Sequence, residues 1–177
     1  MTTPSAPATT TATRTAGRPR PERDSIAVEI LVCGSVDRHD DGAPLAAVSA
    51  IQSRLSPDTR LRVVGQLDID DLLAVPANGG VVVLDAATGL KAGEIVELPL
   101  DGLIGRDDEL RPRSSHALAF REVIGVATLV RRFPLRGRIV AIGGSRWSLG
   151  IGLSPRVARA LPALVQAVMD AVDHVRT

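Results

Sequence analysis

The sequence predicts an α/β fold: a three-layer sandwich in which a mostly parallel, twisted sheet is flanked by helices on both faces. Three observations carry this. Apolar runs at residues 26–33 and 81–84, with strand-like segments at 60–65 and 138–142, stop at polar or glycine-rich loops, as strands covered on both faces do. Between them lie stretches with apolar residues at helical spacing, and alternating strand and helix implies parallel crossovers. The chain has 177 residues, 45% of them hydrophobic, enough for one sizeable core without disulfides or a structural metal.

Taken in order, residues 1–24 are Thr, Ala, Pro, Ser, Gly and Arg with almost no large apolar side chains, so they are expected to form a disordered tail. Residues 25–177 are expected to form the α/β domain. Residues 26–33 are its first, buried strand, ending at Gly34. Residues 43–55 form a helix with Leu45, Val48, Ile51 and Leu55 on one stripe, N-capped by Asp40 or Asp41, with Pro44 in its first turn. Residues 60–65 are the second strand and 68–75 a short helix. Residues 81–84 (VVVL) are the third strand, with Asp85 at its tip. Residues 95–100 read as an edge strand, because Pro99 cannot donate to a ladder. A helix opens at Ser114-Ser115-His116 and runs to about Arg132, with Phe120, Val123, Ala127 and Val130 facing inward. Residues 138–142 are the next strand, and a glycine-rich loop covers 143–152. Ser154 and Pro155 open the last helix, whose stripe is Val157, Leu161, Leu164, Val168 and Val172. Pro162 should kink or divide it.

Composition narrows the function. Aromatics are 2% of the chain with no Tyr, which argues against base-stacking platforms for nucleic acid. A net charge of +1 gives no general attraction to nucleic acid or anionic membrane. No run has the length of a membrane span, and the N-terminus lacks the apolar core of a secretory signal. Cys33 is the only cysteine. We expect it to be a small buried hydrophobe in a cytoplasmic protein. The arginines at 131, 132, 136 and 138 read as a solvated helix end running into a strand.

If the strands are parallel, three groups reach one sheet edge, where ligands bind in open α/β sheets. Asp41 lies in the loop after the first strand, Asp85 at the tip of the third, and His116 in the first turn of a helix beside that edge. Two carboxylates and an imidazole suit a borderline divalent metal such as nickel or zinc, with positions left open. Each also has a plain structural role available: a cap for Asp41, a turn residue for Asp85, a helix-start residue for His116. His39 is a further candidate ligand or substrate contact.

GSVDRHDDG after the first strand, LDA after the third, SSH opening a helix, and GLSPRVARALPALVQAV near the end together resemble the hydrogenase maturation endopeptidases, in order and spacing, over residues 26–175. The resemblance implies a mostly parallel sheet between helices. It further implies an endopeptidase that binds nickel already lodged in the precursor of a nickel–iron hydrogenase large subunit and removes a short C-terminal extension. The nickel would be held by Asp41, Asp85 and His116, with Asp41 or Asp85 as general base, and would arrive with the substrate, so no resident cofactor is expected. The hydrogenase precursor is the expected partner, with no nucleic acid or membrane, and the protein is expected to act as a monomer. The chain departs from the resemblance at Gly65-Gln66-Leu67-Asp68, where a further glycine-rich turn associated with precursor recognition keeps only Gly65, and at Ser35, which replaces an asparagine. Two other readings fit the acidic residues: a receiver domain phosphorylated on Asp85, which lacks the lysine it needs beyond its last strand, and a non-catalytic module that holds the precursor. The first-loop glycines match neither a dinucleotide fingerprint nor a Walker loop.

Overall fold

The elements follow the order β1 (Val28–Cys33), α1 (Ala43–Gln52), β2 (Thr59–Gly65), α2 (Ile69–Leu73), β3 (Gly80–Ala87), β4 (Ile95–Pro99), α3 (Asp101–Ile104), α4 (Ser115–Arg131), β5 (Gly137–Gly143) and α5 (Pro155–Arg176), with one 3-10 turn at His39–Gly42 before α1. This computed structural model describes residues 26–104 and 115–177, without the side chains of 103, 104 and 115–119. The tail expected over residues 1–24 lies outside the described residues.

The five strands pair in the order β2-β1-β3-β5-β4. β1 is parallel to β2 and β3, and β3 to β5, while β4 runs antiparallel along the outer edge of β5. Side chains alternate across the sheet with the two-residue period of a strand. Val28, Ile30, Val32, Val82 and Leu84 meet Ala47 and Ile51 of α1 and Val157, Leu164, Val168 and Val172 of α5. Leu31, Cys33, Val81 and Val83 meet Leu72 of α2 and Ile124 and Ala127 of α4 on the other face. The sheet is covered on both sides, which is why central β3 is apolar on both faces as far as Leu84, while the edge strand β2 carries Arg60 and Arg62.

From β1 the chain crosses one face through α1 to reach β2. From β2 it crosses the opposite face through α2 to reach β3. β1 hands on to β2 on one side and β3 to β4 and β5 on the other, so the neighbouring carboxyl ends of β1 and β3 have connections that leave in opposite directions, a topological switch point that opens a crevice.

Several elements differ in detail from the sequence expectation. α1 is N-capped by Gly42 without a side-chain hydrogen bond, so neither Asp40 nor Asp41 is its cap, although Pro44 sits in the first turn. β3 runs past Asp85 to Ala87, because β5 continues to pair with it as far as Gly143. α5 is one helix of 22 residues through Pro162, docked on the core on both sides of the proline by Val157 and by Leu164, Val165 and Val168. Val130 is exposed, and Ile124 joins Ala127 in the buried stripe of α4. Asp68, by contrast, caps α2 in a reciprocal capping box with Asp71.

The later arginines are partly structural. Arg131 donates to the carbonyls of Leu72 (2.7 Å) and Pro76 (3.1 Å), satisfying the end of α2. Arg138 pairs with Glu97 across β5 and β4. Among the described residues no helix is long and apolar enough to cross a membrane.

Candidate active site

The crevice is built by one turn and one strand end. β1 stops at Cys33 because Gly34 adopts φ 113°, and a Cβ there would lie 2.2 Å from the carbonyl oxygen of Asp41. The chain loops out through 35–38 and returns to the 3-10 turn. In that turn the two adjacent aspartates have separate environments. Asp40 is fully buried. Its Oδ2 accepts from the backbone N–H groups of Ser145 (2.8 Å) and Arg146 (3.0 Å), and its Oδ1 from that of Ser154 (2.6 Å). Burial alone would raise its pKa, but these donors outweigh it and hold the carboxyl below the ordinary range. Asp41, one residue on, lines the crevice.

Asp85 faces it from β3. The ladder between β1 and β3 ends at Val32 and Leu84, so Asp85 lies one residue beyond it, still paired with Ala141 of β5 on its other side. Its side is thus open towards the loop that follows β1. It is 8% exposed, and burial, with the charge of Asp41 adding to it, pushes its carboxyl up to about 7. The cleft has a volume of about 590 Å³, and Cys33, Arg38, Gly65, Leu67, Phe120 and Trp147 are among its walls. Gly65, at φ 72°, turns the chain at the end of β2, and its carbonyl accepts from the N–H of Gly34 (2.7 Å). The Cys33 thiol is buried, and burial together with the charge of Asp85 raises its pKa, so it remains an unreactive thiol.

Among solved structures, the chain superposes on the hydrogenase maturating endopeptidase HybD from E. coli with a TM-score of 0.68 at 18% identity, covering 84% of this chain and 93% of that one. The [NiFe] hydrogenase maturation protease HybD from Thermococcus kodakarensis gives 0.63 at 21% identity, with 82% and 98% covered. The HycI protease from Thermococcus kodakarensis gives 0.58 at 16%, with 85% and 95% covered. The fold is that of the hydrogenase maturation endopeptidases. No protein-family profile matches the chain, and no curated protein matches it in sequence.

Within the maturation-endopeptidase fold, Asp41 and Asp85 converge on one cleft from separate elements. His116 falls at the second residue of α4, and its side chain lies outside those described; Phe120, one turn further along the helix, is a cleft wall. Among the described residues no three His, Cys, Asp or Glu side chains form a group able to hold a metal ion. His39 does not line the cleft. It is buried, its Nδ1 lies 3.1 Å from the carbonyl of Gly152 and its Nε2 3.2 Å from the Arg146 guanidinium, and its ring packs where any Cβ on Gly150 would sit. The open edge at β4 also argues against the receiver reading, whose doubly wound order is 2-1-3-4-5 with parallel strands. The sequence offers Asp40 only as a helix cap and gives Trp147 no role. An acidic pair in one tight turn was the available signal, since two adjacent carboxylates there face different surroundings.

Proposed function

We propose that this chain is an endopeptidase that removes a C-terminal extension from the nickel-loaded precursor of a nickel–iron hydrogenase large subunit, gripping the substrate's nickel through Asp41, Asp85 and His116. The observation that carries the reading is the convergence of Asp41 and the desolvated Asp85 on the switch-point cleft of a fold whose solved examples are named as hydrogenase maturation proteases. A buried carboxyl beside a second carboxylate is an unfavourable pair that a divalent cation stabilises, releasing the proton from Asp85. The cation arrives with the substrate. At the site it polarises the scissile carbonyl or lowers the pKa of a water, and the carboxylate not fully engaged in ligation takes the proton of the attacking water. Selection follows from the same pair: a precursor without nickel offers nothing to offset the repulsion between the two carboxylates. In this reading the protein acts as a monomer in the cytoplasm.

The test is to incubate the protein with a purified, nickel-loaded large-subunit precursor and to weigh the product. Loss of a C-terminal peptide, absent when the precursor lacks nickel, supports the reading. A stable, uncut complex replaces it with a non-catalytic module that holds the precursor.

A further inference from the structure

Two loops meet beside the cleft: 35–38, which supplies Ser35 and Arg38 to its wall, and 147–152, which supplies Trp147, the two joined by a parallel bridge between Arg38 and Gly150 that forms the rim. The N–H of Gly150 donates to the carbonyl of Asp37, and the N–H of His39 to that of Gly150, both at 2.8 Å. With Asp40 and His39 tied to the same loop, this backbone is held in place. Yet within two residues of the bridge it presents Val36, Leu149 and Ile151 at 59%, 77% and 86% exposure. A cluster of large aliphatic side chains on a pinned backbone is unusual on a free surface and marks a contact site. Arg38 itself lines the cleft, and among the described residues its guanidinium has no hydrogen bond or ion pair, whereas the neighbouring Arg146 is engaged by His39.

Resting on the proteolytic reading above, we propose that this rim docks the precursor segment next to the scissile bond, seating its apolar side chains on Val36, Leu149 and Ile151 and an acidic side chain on Arg38. An acidic side chain is favoured over the chain's terminal carboxylate for two reasons. An endopeptidase cuts inside the chain, and Arg38 shares the walls of a cleft only large enough for a short stretch of it. An arginine also suits a carboxylate because its planar fork meets both oxygens.

Cleavage of the nickel-loaded precursor and its binding to immobilised protein are measured together for the parent, Arg38→Glu and the pair Leu149→Ser with Ile151→Ser. Both variants are expected to raise KM and Kd about ten-fold while leaving kcat within about two-fold, the pattern of lost uniform binding. A lysine placed at the acidic residue of the precursor's cleavage segment should restore Arg38→Glu. If the parent cuts and the variants bind and cut equally well, the docking proposal falls alone. Weakened binding in variants of a parent that does not cut keeps the docking and removes the proteolysis. A parent dimer that the double serine variant converts to monomer assigns the rim to a second copy and overturns the proposal.

Discussion

Asp85 links stability to function through one proton. Its carboxyl titrates near 7 instead of 3.8 because it is buried beside Asp41. Between those values the folded state holds a proton that the unfolded chain has released, so the stability Asp85 contributes is fully present at low pH, falls as pH rises towards 7, and levels off above it. Asp85→Asn removes the charge but keeps the shape. Urea unfolding at pH 8 should find the variant more stable than the parent by roughly 2–4 kcal/mol, and at pH 4 about equal. A gap that does not change with pH would mean that Asp85 is not desolvated. The same substitution, and Asp41→Asn, should lower processing of the nickel-loaded precursor by about 10²–10⁴-fold. In the parent, processing should rise as pH increases through 7, because both ligation and proton abstraction require the ionised carboxyl. The residue types were legible in the sequence, since a carboxyl straight after VVVL needs a partner. Which member of the Asp40-Asp41 pair is free was not readable from composition or spacing; it depends on which carboxylate the loop at 144–154 claims.

At the scale of elements, that loop is organised by Asp40. One carboxylate ties the turn after β1 to the start of the loop after β5 and to the N-terminus of α5, contacts more than a hundred residues apart in sequence. Strands are legible locally because burial on both faces writes an apolar run. A clamp of this kind is not, because its donors are backbone N–H groups, which any sequence has. β3 overran its apolar run for a similar reason, with register against β5 deciding its end rather than hydropathy. Asp40→Ala leaves three buried or half-buried amides without their acceptor, and should cost roughly 3 kcal/mol or more of stability. Trp147 is the only tryptophan, and it sits on the clamped loop at the cleft wall, so its fluorescence reports the loop alone. We expect its emission to shift red in Asp40→Ala under conditions where circular dichroism still shows the native helix and strand content. An unchanged spectrum would mean that the loop is held by other contacts.

At the scale of the molecule, the two ends of the chain should behave oppositely. α5 closes one face of the sheet, and its last turns bury Ala171, Val172 and Val175. Val175 packs so closely on the start of β3 that a Cβ added to Gly80 would lie 2.0 Å from it. Removing residues 171–177 strips these side chains from the core at about 1.5–3 kcal/mol per large apolar group, before the cavity they leave is counted. Against a typical margin of about 5–15 kcal/mol, this should leave a chain that is unfolded or aggregated at 37 °C. The N-terminal segment offers the core almost nothing apolar, and the described residues that line the cleft fall between Cys33 and Trp147. Deleting residues 1–22 should therefore leave both Tm and the rate of precursor processing nearly unchanged. The two readouts separate the roles open to the tail. A fall in Tm would place part of it against the fold. A fall in processing at constant Tm would make it a substrate-binding arm whose four arginines, at 14, 18, 20 and 23, meet acidic groups on the precursor, and raising the salt concentration would then reduce processing by the full-length chain and leave that of the truncated one unaffected.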